Sequence, residues 1–327
     1  MSWAVNCAAL LVALVVDWRL GEPPTRWHPV VWIGHLLGWA GKRIAPKAET
    51  ETEAGAGIPD FKSFTFGVLC WWAGVATFFV AFWALQAAVI ACTDTVGGVF
   101  GGLLAALLLG IAFKPLLAWA MLKSEVQAVE AALGTSLEAG RARLAWLVSR
   151  DVTSLTEAQV RESAIESLAE NLNDSVVAPI FWFVLLGLPG AALYRFANTA
   201  DAMWGYRGVR NGQVWEWAGK WAAWADDVLS WLPARLTALL LMAVAGCMHW
   251  RELRQQARLT PSPNSGWPMA AMALAVGIRL GKPGVYTLNA PGRFPQATDT
   301  ATAVVLARNA VLALIPFALE ALFLIAR

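Results

Sequence analysis

Residues 64–92 run from Phe64 to Cys92 without a formal charge. A helix needs about 20 predominantly apolar residues to cross the hydrocarbon layer of a membrane. An unpaired backbone group is costly inside that layer, so a single segment crosses it only as a helix. The run therefore predicts a transmembrane helix, and the rest of the chain must fold around it.

The composition of the whole chain agrees with a membrane protein. Hydrophobic residues make up 58% of the 327 residues and charged residues 15%, whereas soluble domains usually carry about 25% charged residues. The 19 Trp, against 3 Tyr, fit a protein with long boundaries between lipid and water, where indole rings concentrate. The net charge of +2 and the lack of a basic run exclude nucleic acid as a partner.

These features predict an all-α fold: a polytopic integral membrane protein with about five transmembrane helices, re-entrant or interfacial segments and helical cytoplasmic loops. We interpret residues 1–327 as a single membrane domain. The apolar runs that predict spans are 1–16, 64–92, 97–122, 229–250 and 303–326.

Two further apolar segments allow more than one arrangement. Residues 175–197 contain Pro179 and a Gly/Pro-rich break at 187–190. The segment is compatible with a kinked span and with a re-entrant hairpin. In either arrangement the irregular backbone groups must be hydrogen-bonded by protein or water. Residues 268–280 are too short for a normal crossing, and we expect them to dip into the interface.

The loops between the spans carry the polar residues. They are 17–63, 123–174, 198–228 and 251–302. The first holds six Lys and Arg and the second five, which predicts that both face the cytoplasm and that the N-terminus faces outward. The sides of the other two depend on the ambiguous segments. The Glu/Ala/Gly-rich piece 47–58 predicts a flexible linker.

The segment 150–174 has the richest set of polar side chains. Ser154, followed three residues later by Glu157, is a capping-box pattern that predicts the start of a helix. Along that helix three carboxylates recur every fourth residue on one face, and two polar side chains extend this face towards the membrane. The carboxylates are Glu162, Glu166 and Glu170, and the two further residues are Asn173 and Asp174.

Carboxylates at this spacing repel one another, so the face is expected to need a cation: Mg²⁺, or an Arg or Lys from elsewhere in the chain. Ligands that are all oxygen favour Mg²⁺ together with a phosphate substrate. The alternative is a solvated acidic helix face. The position directly before the apolar residues 175–179 favours a cation site, because a solvated face need not end at the membrane.

Three other polar segments contain candidate binding residues. Asn198 and Asp201, three residues apart, could share a ligand, and Arg207 could hold a phosphate or carboxylate in a fork. Lys220 follows, and interfacial anchoring is the alternative for this segment.

The turn-rich loop 261–268 offers several donors. Its candidate residues are Asn264 and Ser265. The prolines of residues 22–29 exclude a helix there, so His28 lies in a shaped loop, where it could act as an acid or a base. His28 and His35 have no third ligand nearby in the sequence, which argues against a metal site.

Several motifs are absent from the sequence. It has no phosphate-binding Gly-x-x-x-x-Gly-Lys-Ser/Thr loop, no nucleophile elbow and no zinc-type His/Glu motif. Any nucleotide chemistry must therefore use another kind of site. Charges within the predicted spans are few, which argues against a transporter. They are Lys114, Arg235, Arg308 and Glu320.

Five motifs, which follow one another along about residues 17–290, together resemble those of the CobD/CbiB family. The members of this family are the adenosylcobinamide-phosphate synthases of cobalamin biosynthesis. The motifs are Asp17…Gly21-Glu22-Pro23-Pro24…His28-Pro29-Val30, Arg150-Asp151…Glu162-Ser163…Glu166-Ser167…Glu170-Asn171…Asp174-Ser175, Asn198-Thr199…Asp201-Ala202-Met203…Gly205-Tyr206, Asp226-Asp227…Pro233-Ala234-Arg235 and Pro263-Asn264-Ser265-Gly266…Pro268.

The resemblance implies an amide-forming ligase in the bacterial cytoplasmic (inner) membrane, with its active-site loops facing the cytoplasm. Such an enzyme joins adenosylcobyric acid to (R)-1-aminopropan-2-ol O-phosphate, or a related amino-alcohol phosphate, with ATP as co-substrate and Mg²⁺. Its expected partners are these substrates, the lipid bilayer and other late membrane enzymes of the pathway.

This chemistry assigns roles to the candidate residues. We predict that Mg²⁺ is bound by Glu166, Glu170 and Asp174, with Glu166 also catalytic. The base for the attacking ammonium is Asp201 or His28. The predicted phosphate-binding and substrate-binding residues are Arg150, Arg207, Lys220, Asn171, Asn198, Asn264 and Ser265.

Two other functions compete with the ligase. A non-enzymatic membrane sensor, similar to AmpE, the regulator of β-lactamase induction, shares parts of the pattern. A sensor does not need three helix-spaced carboxylates together with separate Arg/Lys and Asn loops. Transport of a corrinoid would predict more polar residues at the middle of the spans than the sequence has.

Overall fold

The structure of the protein is a computed structural model that describes residues 3–48 and 59–327. Residues 49–58 of the predicted linker 47–58 lie outside the described residues. The α-helices in the described residues are α1 (Trp3–Leu20), α2 (Pro29–Ile44), α3 (Phe61–Asp94), α4 (Gly98–Phe113), α5 (Trp119–Leu133), α6 (Leu137–Leu144), α7 (Glu157–Leu172), α8 (Ala178–Trp204), α9 (Lys220–Leu229), α10 (Trp231–Val244), α11 (Trp250–Ala257), α12 (Gly266–Val276) and α13 (Ala297–Ile325).

Shorter elements connect these helices. Two antiparallel hairpins pair β1 (Val209–Arg210) with β2 (Gln213–Val214), and β3 (Leu280–Lys282) with β4 (Tyr286–Leu288). A π-helical segment, Asn173–Val177, joins α7 to α8. The prediction of an all-α membrane fold is therefore confirmed, with these small hairpins as its only strands in the described part of the chain.

Five helices in the described residues are long and apolar enough to cross a membrane. Helices α4 and α5 are counted here as one continuous helical stretch, as are α7 and α8, so the five are Trp3–Leu20, Phe61–Asp94, Gly98–Leu133, Glu157–Trp204 and Ala297–Ile325. The predicted span 229–250 is not one helix, because α10 ends at Val244, where Gly246 adopts a φ of 67° that a right-handed helix does not allow. If α9 and α10 count as one bent span, the number rises to six.

The chain divides into two compact units, each with its own internal packing. The first unit comprises Met1–Leu117, Pro179–Leu229 and Leu322–Arg327, and the second comprises Ala118–Ala178 and Ser230–Ala321. The sequence pattern predicts no boundary at these positions, because the units are assembled from segments that are far apart in the chain.

In the first unit, α1 packs closely against α4 through small residues. A Cβ atom added at Gly110 would lie 2.6 Å from Val12 and 2.7 Å from the Ala9 carbonyl oxygen. Small residues allow two helices in lipid to approach until their backbones are in van der Waals contact. Replacing Gly110 by a residue with a side chain would force these helices apart.

Helix α2 was missed by the sequence analysis. Pro29 occupies its first turn, where a missing N–H costs nothing, and the His28 ring accepts a hydrogen bond from Val30 N at 3.3 Å. The helix ends at Ile44, directly before Ala45-Pro46, where the proline disfavours helical geometry in the preceding residue.

The ambiguous segment 175–197 is a long helix interrupted at one residue. Gly187 has a φ of 70° and a ψ of −157°, which only glycine adopts readily. The side chain of Gln86 on α3 accepts a hydrogen bond of 2.9 Å from Leu188 N. This side chain satisfies a backbone group that the interruption would otherwise leave unpaired.

Candidate functional site

Helix α7 of the second unit carries the predicted carboxylates, and its N-cap lies two residues later than predicted. Thr156, not Ser154, is the N-cap: its hydroxyl accepts from Gln159 N, and the Gln159 side chain accepts from Thr156 N at 2.8 Å. Asp151 accepts two hydrogen bonds from Thr153, which hold the preceding residues in a turn. The capping box is therefore Thr156/Gln159.

Two of the three carboxylates are buried inside the second unit. Glu162 is 1% exposed and Glu166 is 4% exposed. A solvated acidic face would leave these side chains in water, so the structure rejects that alternative. Ionised groups in such surroundings need a partner of opposite charge.

Each buried carboxylate has one arginine as its partner. Arg150 Nη2 lies 3.2 Å from Glu166 Oε2 and donates to the Ser163 hydroxyl at 2.5 Å. Arg279 Nε lies 3.4 Å from Glu162 Oε1. Two arginines from outside the helix thus supply at least part of the positive charge that was predicted from the spacing of the carboxylates.

The β3–β4 hairpin lies against α7 and adds a tyrosine and a lysine. Lys282 and Tyr286 are direct cross-strand partners, so they share one face of the hairpin. Burial raises the pKa of Tyr286, and the nearby carboxylates of Glu166 and Glu170 raise it further. Lys282 adds positive charge close to Glu166.

A cavity of about 330 Å³ opens between α7 and the hairpin. Its lining residues are Gln159, Glu162, Arg279 and the turn 281–287. Gly284 in this turn has a φ of 73°, which allows the tight reversal between the two strands. The cavity therefore combines a carboxylate, a guanidinium and the polar backbone of a turn within one unit.

The predicted magnesium ligands do not assemble as a set. In the ranges 3–48 and 59–327, no three His, Cys, Asp or Glu side chains are close enough to hold a metal ion together. Asp174 lies in the π-helical segment that begins at Asn173, beyond the regular α-helical repeat that Glu162, Glu166 and Glu170 share.

Glu162 and Glu166 on α7 each have a buried carboxylate oxygen, the kind of ligand that a divalent cation prefers. Oε1 of Glu162, which lies 3.4 Å from Arg279 Nε, and Oε1 of Glu166 are buried, and neither oxygen accepts a hydrogen bond from the described residues. Mg²⁺ usually takes one or two protein carboxylates and fills its remaining positions with water and substrate phosphates. These two residues therefore fit a magnesium ion that arrives with a phosphate ligand.

The predicted amide and carboxylate residues near the end of α7 bond within the second unit. Asn171 donates to the Ser167 carbonyl oxygen at 3.0 Å, one turn earlier on its own helix. Asn173 donates to Asp174 at 2.8 Å and accepts from Thr237 at 3.1 Å. These contacts stabilise the junction between α7 and the π-helical segment.

Asn264, another residue predicted to bind substrate, is buried and engaged with Arg235. Its Oδ1 accepts from Arg235 Nη1 at 2.6 Å. Ser265 is the N-cap of α12, and the backbone N–H groups of both residues donate to the Ser262 hydroxyl at 3.2 Å. The structure thus shows both residues shaping the 261–268 loop.

In the first unit, His28 belongs to a buried charged cluster. Its Nε2 lies 3.0 Å from Glu22 Oε2, and Lys114 Nζ lies 2.8 Å from the same oxygen and 3.2 Å from Asp17 Oδ1. Because His28 Nδ1 accepts from Val30 N, the ring hydrogen sits on Nε2 and is donated to Glu22. Both ring nitrogens are engaged, so the ring has no acceptor left for a substrate proton in this arrangement.

The electrostatics of this cluster hold Glu22 ionised. Burial raises the pKa of Glu22, but the hydrogen bonds from His28 and Lys114 outweigh it and leave the pKa below its ordinary value. The sequence places Lys114 among the few charges within the predicted spans. An ionisable residue in such a span usually has a partner and a purpose, which is the signal that could have identified this cluster.

The remaining predicted residues lie on α8, on α9 or in the loop between them, all in the first unit. Asn198 and Asp201 are half-buried on α8, and a Cβ atom at Gly205 would overlap with Asp201 Oδ1, so only glycine fits there. Arg207 faces the carboxylate of Asp227. Lys220 Nζ stacks on the ring of Trp217 at 3.8 Å, in keeping with interfacial anchoring.

The comparison of sequences agrees with this arrangement of motifs. Residues 10–312 match the family described as CobD/Cbib protein. A probable cobalamin biosynthesis protein CobD of Methanothermobacter thermautotrophicus is 37% identical over 87% of this chain and 87% of its own length. Two cobalamin biosynthesis proteins CobD, of Chromobacterium violaceum and Brucella suis, are 40% and 36% identical, over 85% and 92% of this chain and 82% and 92% of their own lengths.

No solved structure matches the chain, so its placement rests on the sequence relatives and on the motifs. The family match covers both units, from α1 to α13. It includes all the residues that the sequence analysis singled out for the site. This chain therefore belongs to the CobD/CbiB family.

Proposed function

We propose that the protein is an ATP-dependent ligase of cobalamin biosynthesis. It joins adenosylcobyric acid to (R)-1-aminopropan-2-ol O-phosphate and forms adenosylcobinamide phosphate. The observation that carries the proposal is the pair of buried carboxylates on α7, each facing one arginine and each with an oxygen that accepts no hydrogen bond from the described residues. This is what a site for a metal-bound polyphosphate needs.

The reaction proceeds in two steps. A carboxylate oxygen of the corrin attacks the γ-phosphorus of ATP, the bond to the bridging oxygen breaks, and ADP leaves. The resulting acyl phosphate is attacked by the amine of the amino-alcohol phosphate, which forms the amide and releases inorganic phosphate. The attacking ammonium must first lose a proton to a base.

The second unit supplies the groups for phosphoryl transfer. Glu162 and Glu166 would hold Mg²⁺, which neutralises charge on the ATP phosphates. Arg150 and Lys282 would stabilise negative charge that develops on the transferred phosphoryl group. Arg150 is already oriented by its bonds to Ser163 and Glu166, so little reorganisation is needed when substrate binds.

The other assigned roles stay predictions of this proposal. Glu170 and Asp174 as further metal ligands, and Asp201 or His28 as the base, derive from the chemistry of the reaction. For His28 this role requires Nδ1 to release its hydrogen bond from Val30 N. The same holds for the substrate-binding roles of Asn171, Asn198, Arg207, Lys220, Asn264 and Ser265. We also propose that the protein lies in the cytoplasmic membrane with these loops on the cytoplasmic side, where ATP is available.

The test is turnover by the full chain purified in detergent. Adenosylcobyric acid, aminopropanol phosphate, ATP and Mg²⁺ are supplied, and the amide product is followed by mass spectrometry. We expect product only when both ATP and Mg²⁺ are present. A folded protein that makes no product and binds neither substrate would contradict the ligase and favour the sensor.

A matched pair of variants tests the assignment of α7. Glu166→Gln removes a charge from the buried site, whereas Glu157→Gln makes the same change at an exposed position of the same helix. We expect Glu166→Gln to lower turnover by about 10²-fold or more at limiting Mg²⁺ and Glu157→Gln to have little effect. Equal turnover by both variants would remove Glu166 from the site.

A further inference from the structure

The second unit contains a larger cavity that the proposed reaction does not use. It has a volume of about 660 Å³ and lies at the start of α10, along α11 and beside the loop before α12. None of the described residues that line it is Asp or Glu. Three tryptophans and three arginines line it: Trp231, Trp250, Trp267, Arg235, Arg254 and Arg258.

Arg235 forms a fixed wall of this cavity. Its guanidinium stacks between the rings of Trp231 and Trp267, at 4.5 and 4.8 Å from their centroids. It also donates to Asn264 Oδ1 and to the Pro263 carbonyl oxygen. A planar guanidinium held by two rings and two acceptors keeps a defined position before any ligand arrives.

Arg254 and Arg258 supply positive charge without a partner. They are four residues apart at the end of α11 and therefore lie on the same side of that helix. Within the described residues, neither has a carboxylate oxygen within 4 Å, whereas five other arginines do. Two neighbouring guanidinium groups repel each other, and an anion between them relieves that repulsion.

An apolar surface continues from the cavity along α10. Leu232 in the cavity is 54% exposed, and Leu239, seven residues further on the same face, is 37% exposed. Trp250 packs on Trp267 at 5.4 Å and extends this surface at the cavity mouth. The cavity thus has a cationic end and an apolar path leading away from it.

We propose that this cavity binds an anionic phospholipid. The phosphate of the headgroup lies between Arg254 and Arg258, and an acyl chain follows Leu232 and Leu239 along α10. Tryptophans and arginines gather where the hydrocarbon meets water, and lipid phosphates are attracted to basic residues at that level. A soluble phosphate compound would use the arginines but not the exposed leucines.

The proposal can be tested by native mass spectrometry of the full chain in detergent. Phosphatidylglycerol and phosphatidylcholine with identical acyl chains are added separately, and the bound copies are counted. We expect the protein to retain phosphatidylglycerol preferentially. The double variant Arg254→Gln/Arg258→Gln should weaken phosphatidylglycerol binding about tenfold or more and leave phosphatidylcholine binding unchanged.

Arg251→Gln is the matched control, because Arg251 lies on α11 but does not line the cavity. Both altered arginines of the double variant are exposed, so the variant is expected to fold. Equal retention of the two lipids by the unaltered chain would overturn the proposal, as would an equal loss with Arg251→Gln. Displacement of the lipid by glycerol 3-phosphate at similar concentrations would instead assign the cavity to a soluble phosphate compound and would also overturn it.

Discussion

Arg150 and Glu166 lie 16 residues apart in the chain and meet at 3.2 Å between Nη2 and Oε2. Glu166 is 4% exposed, so this pair is largely removed from water. A buried charge that loses its partner typically costs about 3–5 kcal/mol. The pair therefore links the stability of the second unit to the chemistry that we propose for it.

The first prediction concerns this pair. Arg150→Gln leaves the Glu166 carboxylate without its cation, so we expect the free energy of unfolding to fall by about 3–5 kcal/mol and turnover to be lost. Thermal unfolding in detergent measures the first effect and the ligase assay the second. Arg143→Gln is the control, because it breaks a more exposed pair with Glu125, for which about 0–1 kcal/mol is expected. Equal effects of the two substitutions would contradict the prediction.

The second prediction concerns Tyr286. Tyr286→Phe removes the hydroxyl beside Glu166 and keeps the ring, so we expect a small change in stability and a clear loss of turnover. Because the pKa of Tyr286 is raised above its ordinary value of 10.0, the hydroxyl stays protonated throughout the range in which the enzyme is assayed. Deprotonation of Tyr286 should therefore cause no loss of activity in the unaltered protein as the pH rises towards 10. Such a loss below pH 10, removed by the substitution, would show that Tyr286 ionises.

The third prediction concerns the charged cluster of the first unit. The pKa of Glu22 in the folded protein lies below its ordinary value of 4.5. Its ionised form therefore adds stability above pH 4.5, and this contribution is lost as the pH falls through the lower folded pKa. We expect Glu22→Gln to lower the free energy of unfolding by about 1–3 kcal/mol at pH 7, and the difference to shrink as the pH falls below 4.5.

Thermal unfolding of both proteins across this range measures the difference. Glu138→Gln, at an exposed position of α6, is the control and should match the unaltered protein at every pH. A Glu22→Gln difference that stays constant between neutral and acidic pH would mean that the Glu22 charge does not stabilise the fold.

The fourth prediction concerns the orientation in the membrane. If loops 17–63 and 123–174 face the cytoplasm, the tip of the α3–α4 hairpin faces outward. Cys92 is exposed near that tip. In a variant with the other three cysteines replaced by Ala, a membrane-impermeant maleimide should label Cys92 in intact cells. Glu138→Cys, added to a variant that also lacks Cys92, should be labelled only after permeabilisation. The reverse pattern would invert the topology.

The sequence alone determined the class of fold and the family. Charge-free runs such as 64–92 are long enough to span a membrane whatever they pack against, because the bilayer acts on each helix separately. The motifs and their order along the chain were sufficient to indicate the CobD/CbiB family. The break at 187–190 was also visible, since glycine and proline act on the local backbone.

Only the tertiary structure decided which polar residues meet. The i, i+4 spacing placed Glu162 and Glu166 on one helix face, but whether that face was solvated or buried depended on segments over a hundred residues away, such as the β3–β4 hairpin. Arg279, Lys282 and Tyr286 carry no local pattern that points to α7, so the sequence analysis did not place them beside it. Likewise, only the packed structure shows that Lys114 forms ion pairs with Asp17 and Glu22. Local sequence sets helix formation and membrane insertion, whereas charge pairing depends on distances that only the packed chain defines.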